Sequence, residues 1–298
     1  MKVLITGAVG QLGSYLIDEL ACDHEVKGID LREPEIEAHS DLVSIIDIRD
    51  KESVLKECEW ADVVVHAAAQ VSVEKSIEDP LIDADINIMG TLNLLKSAFI
   101  AGVELFVYVS SAAVYGDPKY LPVDEAHPTC PKSPYGISKL TGEEYVKAFG
   151  DCYNLDYFII RPFNFYSPRA DPKSPYSGVI TKFARRIKAG QPIIIEGDGE
   201  QTRDFIHALD VAYMIRLAIN SPVRNLVLNC GSGKAVSINE LADIFTSICG
   251  DIEVVRTEPR EGDIKHSVAD ITLARDFLGF RPRISLEDGL RALLECKK

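Results

Sequence analysis

Tyr135 and Lys139 stand four residues apart directly after Ser133-Pro134, which reads as an N-cap followed by a first helical residue. On a helix this spacing stacks the two side chains one turn apart on one face. An ammonium held beside a phenol favours the phenolate, drawing a reference pKa of about 10 toward the working range of a general base. A second Tyr-x-x-x-Lys, Tyr115 with Lys119, is interrupted by Gly116 and Pro118 and cannot be helical in the same way. Taken alone, a Tyr and a Lys at this spacing is an ordinary helix-surface pair. Here it follows a β-rich run ending in Ser110-Ser111 and a glycine-rich turn far upstream.

That turn is Gly7-Ala8-Val9-Gly10-Gln11-Leu12-Gly13, placed after the apolar run Val3 to Thr6. Glycines let a backbone turn tightly and approach phosphate, while the N–H groups and positive dipole end of the next helix attract the anion. A dinucleotide pyrophosphate is the expected ligand. Asp30 ends a second strand-like segment, Glu25 to Ile29, where a carboxylate accepts both ribose hydroxyls and repels a 2′-phosphate. NAD is therefore expected over NADP, with Arg32 the nearby residue that could neutralise such a phosphate.

The elements that must position these groups alternate. Val3 to Thr6, Glu25 to Ile29, Leu42 to Ile46, Ala61 to His66, Leu105 to Ser110 and Tyr157 to Arg161 are short apolar runs suited to strands buried on both faces. Residues 79–102 place Ile88, Leu92, Leu95 and Phe99 at helical spacing, with Gly102 as a stop. Further helical patterns cover 238–248 and 286–294. The fold class expected is α/β: a Rossmann-type doubly wound parallel sheet with a smaller α/β lobe. Residues 1–161 form the dinucleotide-binding domain and 162–298 mainly the substrate-binding lobe, with part of 203–221 returning to the first domain.

The chain has 298 residues, 46% of them hydrophobic and 26% charged, the mix of a globular protein with a large core. No apolar stretch approaches the roughly 20 residues of a membrane span and no signal peptide is recognisable, so a cytoplasmic location is expected. Seven cysteines are scattered without a C-x-x-C pair, and neither a disulfide framework nor a metal site is expected. Net charge is -14, which argues against nucleic acid. Residues 1–150 hold 12 Lys+Arg against 26 Asp+Glu, whereas 151–298 hold 20 against 20 and carry 13 of the 15 arginines. Arginine's planar fork suits phosphate, so this half hints at an anionic ligand.

These residues together resemble the extended short-chain dehydrogenases/reductases, specifically nucleotide-sugar 4-epimerases of the UDP-glucose/UDP-N-acetylglucosamine type. The resemblance covers nearly the whole chain. It is carried by Gly7, Gly10 and Gly13, Asp30, Asp47-Ile48, His66-Ala67-Ala68, Asn87, and the set Ser111, Tyr135 and Lys139. The second lobe adds Arg161-Pro162-Phe163-Asn164-Phe165-Tyr166, Gly197-Asp198-Gly199, Arg203 to His207 and Arg260-Glu261-Gly262-Asp263. The resemblance implies NAD held by Gly7, Gly10, Gln11, Leu12, Gly13, Asp30, Asp47, Ile48, Ala67, Ala68, Asn87, Tyr135 and Lys139. It implies Ser111, Tyr135 and Lys139 as catalytic groups. Asn164, Arg203 and Arg260 would hold the diphosphate of a UDP-sugar, with Asp263 and Ser267 also at the substrate.

Under this resemblance Tyr135 takes the proton of the sugar 4-hydroxyl while the C4 hydride passes to NAD. The 4-keto sugar turns over, and the hydride returns to its other face. Ser267 stands where a tyrosine in some relatives excludes an N-acetyl group, so acetylated and plain UDP-sugars are both expected substrates. A homodimer is expected, with Ile86, Ile88, Leu140 and Val146 as a hint of apolar residues on more than one helix face. The alternatives are a reductase or dehydratase on nucleotide sugars, or a non-catalytic NAD-binding sensor. Ala112-Ala113 lacks the acidic pair of a dehydratase. Ser167 departs from the usual glycine. Asn229 to Lys234 imitates a triphosphate-binding loop, but Leu228 replaces its first glycine and Ala235 its hydroxyl.

Overall fold

Strands covered on both faces have no side to spare for polar groups, and the fully buried runs Val3–Ile5, Val63–Val65 and Leu105–Val107 set the middle of the molecule. The computed structural model describes residues 1–171, 178–259, 262 and 264–295. Seven parallel strands form its central sheet: β1 (Lys2–Thr6), β2 (Glu25–Asp30), β3 (Val43–Ile45), β4 (Val63–His66), β5 (Leu105–Val109), β6 (Asp156–Pro162) and β11 (Leu226–Cys230). Their order is β11-β6-β5-β4-β1-β2-β3, so the direction of winding reverses between β1 and β4. Strand ends diverge at such a point and leave a crevice on the carboxyl side.

One face of the sheet packs on α1 (Gln11–Leu20) and α8 (Ala208–Asn220) through Leu16, Ile17, Val211 and Ile215. The other packs on α2 (Lys51–Cys58), α5 (Gly90–Ala101) and α6 (Pro134–Tyr153) through Val54, Leu94, Leu95 and Val146. Between α2 and α5 run two short helices, α3 (Val73–Glu78) and α4 (Pro80–Ala84). Residues 79–102, read from sequence as a helical pattern, contain a π-helical turn at Asp85–Met89 between α4 and α5. Asp79 caps the start through Leu81 N and Ile82 N, and Gly102 ends it at φ 76°.

A third apolar cluster belongs to the second lobe, where α7 (Val179–Lys188), α9 (Ile238–Cys249) and α11 (Leu286–Glu295) join around Phe183, Phe245 and Leu290. Three two-stranded ladders accompany them: β7 (Asn164–Tyr166) with β10 (Phe205–His207), β8 (Ile193–Glu196) with β13 (Val254–Thr257), and β9 (Thr202–Arg203) with β12 (Val236–Ser237). α8 packs beside α1 on the central sheet. The chain returns further than expected, because β11 pairs with β6 as the seventh strand and α10 (Thr272–Leu278) packs on it through Ala274. Among the described residues no helix is long and apolar enough to cross a membrane.

The four residues that hinted at a dimer do not face solvent as a set. Val146 is 1% exposed, Ile86 packs on the second cluster and Leu140 on a small cluster around Val114 and Phe163. Both faces of these helices are apolar because α6 is sandwiched between neighbours. The exposed apolar residues of this region include Leu81, Ile82, Met89, Ile137 and Tyr145.

His66 ends β4 and is held in one tautomer. Thr91 donates its only hydroxyl proton to Asn87 O, so His66 Nε2 donates to Thr91 Oγ1 and Nδ1 accepts from Thr6 Oγ1. Burial, aided by the Lys139 charge, holds His66 down to about 3. His207 Nδ1 caps α8 by accepting Leu209 N, and burial holds it to about 4. Protonation would destroy either arrangement. The unfolded chain takes up these protons near pH 6.5 and the folded one does not, so stability is complete above pH 6.5 and is lost as pH falls toward 4. Urea unfolding midpoints should fall over that interval, and His207→Asn, which keeps a capping acceptor, should remove up to about 3 kcal/mol of the pH-dependent part.

Candidate active site

At the carboxyl ends of β1, β2, β4, β5 and β6 lies a cleft of about 920 Å³. Its floor is the glycine turn. Gly7 sits at φ 69°, and a Cβ there would lie 2.7 Å from Ala68 N. A Cβ on Gly13 would overlap the Gly7 carbonyl oxygen, so this glycine lets α1 close on the turn. The N-terminus of α1 has neither a side-chain cap nor an acidic residue in its first turn. Its N–H groups and dipole are left for an anion.

Asp30 stands at the end of β2, its two carboxylate oxygens accepting Val9 N and Arg32 N, which fixes it at the cleft edge. Asp47 and Ile48 line the same end, and Asp47 is held below the usual carboxylate range by Arg49, which also bonds Asp85. Gly10, Gln11, Leu12, Ala67 and Ala68 complete this half. A cradle that a side chain would fill, an uncapped helix start and a carboxylate fixed beside them by Val9 N fit a dinucleotide.

Asn87 is the exception among the residues expected there. It is 2% exposed and does not line the cleft. Its Oδ1 accepts Gln70 N, while Nδ2 donates to Gln70 O and Asp83 Oδ1 and lies 3.2 Å from Ser138 Oγ. Every polar atom of the side chain is committed to the protein. The π-helical turn carries Asn87 inward, where it ties the loop after β4 to α6.

α6 begins as the sequence indicates. Ser133 Oγ accepts Gly136 N, Pro134 is the first helical residue, and Tyr135 and Lys139 follow on one stripe. Both line the cleft beside Ser111, which hydrogen-bonds Tyr135 and accepts Ala113 N. Proton balance differs from the expectation that Lys139 lowers the phenol. Burial raises Tyr135 above its ordinary value, Asp83 adds to this, and the Ser111 hydrogen bond opposes it. Lys139 is itself pushed down to about 8 by burial, against the Glu143 and Asp83 carboxylates.

Tyr115 has another occupation. Its hydroxyl accepts from Arg161 Nη1 and donates to Asn229 Oδ1, all three buried. Arg161 Nε and Nη2 donate to the two oxygens of Glu143, and Ser110 Oγ donates to Glu143 Oε1 at 2.5 Å. Sequence reading missed Glu143, although it lies one further turn along the Tyr135–Lys139 stripe, and that spacing was the available signal.

The opposite wall carries Asn164, Arg203, Ile264 and Ser267. Arg203 Nη1 rests on Thr202 O, and Ser267 N bonds the same carbonyl at 3.2 Å. Arg260 and Asp263 lie outside the described residues. Ser167 is not among the residues with positive φ, so its backbone needs no glycine. In the loop 229–234, Asp204 accepts Ser232 N, Ser232 Oγ and Gly233 N, so donors a phosphate would need are already used.

Four arginines of the second half serve another purpose. Arg161, Arg169, Arg216 and Arg283 pair with Glu143, Asp18, Glu19 and Glu19, all carboxylates of the first half. Of the described arginines beyond residue 150, Arg203 alone lines the cleft.

A family model described as the NAD dependent epimerase/dehydratase family matches residues 3–231. The UDP-glucose 4-epimerase of Thermotoga maritima, solved with UDP-glucose, is 35% identical and has a TM-score of 0.92, over 99% of this chain and 98% of that one. The UDP-N-acetylglucosamine 4-epimerase of Methanobrevibacter ruminantium, in complex with UDP-N-acetylmuramic acid, is 36% identical with a TM-score of 0.93, over 99% and 97%. The UDP-glucose 4-epimerase of Thermus thermophilus, complexed with NAD, is 33% identical with a TM-score of 0.89, over 99% and 98%.

Proposed function

The chain belongs to the NAD-dependent epimerase/dehydratase family, and from that premise we propose that it interconverts UDP-hexoses at C4 through a transient 4-keto sugar. The observation that carries this reading is one cleft in which Ser111, Tyr135 and Lys139 face Asn164, Arg203 and Ser267 beyond a dinucleotide cradle. NAD is the cofactor, in keeping with the family and with the carboxylate of Asp30 at the ribose end. When bound, NAD would be held by Gly7, Gly13, Asp30 and Lys139 and would supply the acceptor and donor of the C4 hydride.

Tyr135 removes the proton of the 4-hydroxyl and gives it back to the same oxygen. Ser111 already receives a backbone N–H from Ala113, which fixes its hydroxyl between Tyr135 and the substrate oxygen. Lys139 would hold the nicotinamide ribose and would offset the phenolate charge. Arg203 and Asn164 grip the diphosphate, so the keto sugar can turn about that anchor while the nucleotide stays in place. Ala112 and Ala113 next to Ser111 supply neither acid nor base, which disfavours loss of water from the sugar.

Ser267 is half-buried at the sugar wall and leaves the room that a larger side chain would fill. We infer that acetylated and plain UDP-hexoses are both accepted, an inference supported by the likeness to an epimerase named for UDP-N-acetylglucosamine. A homodimer is the assembly that best explains the exposed face of α4, the π turn and α6, where Leu81 is 80% and Ile137 53% exposed.

Three outcomes are expected. Tyr135→Phe should lower epimerisation at least about 100-fold with NAD and UDP-sugar binding retained, read from epimer ratio, released NADH and calorimetry. Wild-type turnover would exclude Tyr135 as the base, and stoichiometric NADH release by the wild type would indicate a reductase. Ser267→Tyr should reduce kcat/KM for UDP-N-acetylglucosamine relative to UDP-glucose by about tenfold or more. An unchanged ratio removes Ser267 as the gate. Sedimentation at micromolar concentration should give a dimer, and Leu81→Asp with Ile137→Asp a monomer; a monomeric wild type rejects the assembly.

A further inference from the structure

Tyr108 lies on β5 beneath α6, and Gly142 is what permits so close an approach, since a Cβ there would overlap the Tyr108 hydroxyl. The ring is fully buried and packs beside His66. Its face lies under the Lys139 ammonium, with Nζ 4.6 Å from the centroid, and the Tyr108 hydroxyl faces Lys139 O at 3.4 Å. Lys139 is 3% exposed. Water cannot solvate such an ammonium fully, and an aromatic face is one of the few neutral groups that replaces hydration of a cation.

We propose that Tyr108 is a positioning residue whose ring holds Lys139 charged and in place at the cleft. The proposal rests on the reading of Lys139 as the group that holds the nicotinamide ribose and balances Tyr135. The other groups around Lys139 are accounted for by element. From α6 come Tyr135 and Glu143, the latter bonded to Arg161 of β6 and to Ser110. From α4 comes Asp83, which accepts Gln70 Nε2 and Asn87 Nδ2. From β4 comes His66, neutral between Thr6 and Thr91 of α5. From β5 comes Tyr108 itself, whose phenol burial keeps protonated. The two carboxylates act on Lys139 while bonded elsewhere, and the ring face is the neutral surface directly beneath the ammonium.

The test measures Lys139 itself. Cyanate carbamylates only neutral amines, and its extent at Lys139 against pH, mapped by peptide mass spectrometry on the full-length protein, gives the midpoint at which the ammonium loses its proton. Tyr108→Phe keeps the ring and should hold the wild-type midpoint. Tyr108→Leu should lower it by about half to one pH unit, the scale of a buried cation–π contact. Because the Leu variant could fail to fold, mono-, di- and trifluorophenylalanine at 108 provide a series of nearly constant volume and weakening ring field, and the midpoint should fall stepwise along it. A midpoint that stays fixed across the fluorinated series, or that is equal in the Leu and Phe variants, overturns the proposal. Lys139→Met tests the underlying reading separately: if it turns over UDP-glucose like the wild type, that reading fails whatever cyanate reports at Tyr108.

Discussion

A buried ion pair, Glu143 with Arg161, holds Ser111, Tyr135 and Lys139 in register. Arg161 reaches it from β6 and Glu143 from α6, and neither side chain is more than 4% exposed. Removing either partner would strand a charge without solvent, a situation that costs roughly 3–5 kcal/mol. The pair is satisfied on every side. Ser110 donates to Glu143, Tyr115 accepts from Arg161, and Asn229 passes the chain on to Val123 O and Asp270 O. Five segments of the fold therefore meet around one charge pair. Tyr135, Lys139 and Glu143 lie on successive turns of α6, so anchoring the third fixes the depth and rotation of the first two. Ser110, bonded to Glu143, precedes Ser111, which bonds Tyr135. The same carboxylate thus positions the hydroxyl and the phenol from two directions.

Much of this was legible in the sequence, and the physical reason is short range. A glycine turn after an apolar run, a Ser-Pro helix start and a four-residue Tyr–Lys spacing are local facts that backbone geometry converts directly into placement. The central strands were legible for the same reason, since burial on both faces leaves unbroken apolar runs. β11 was not, because Leu226–Cys230 enters the sheet only after the excursion through 162–225, and nothing local says where it will pair. The ladders β9 and β12 are two residues long and carry no period at all. Asn87 enters the cofactor set through the resemblance alone, and chain position cannot reveal the π turn in which it lies. The proton balance of Tyr135 depends on desolvation, and desolvation belongs to the packed fold and not to the sequence.

The charge asymmetry between the halves also has a local cause. α1 is arranged against its own dipole: it has no acid in its first turn and no base in its last, while Asp18 and Glu19 sit at its C-terminal end. Such a helix is destabilised at both termini unless something else supplies the missing charges. At the C-terminal end the second half supplies them. Arg169 reaches Asp18, and Arg216 and Arg283 reach Glu19, with Arg216 extending to Asp23. Pairs as exposed as these add little stability individually. Their joint effect is on placement, since α8 and the segments carrying Arg169 and Arg283 are drawn onto the helix whose other end forms the cradle. The N-terminal end has no side-chain cap and no acid in its own first turn. An anion completes it, so the arginines that looked like ligand-binding groups leave the ligand's own place open at the opposite pole of the same helix.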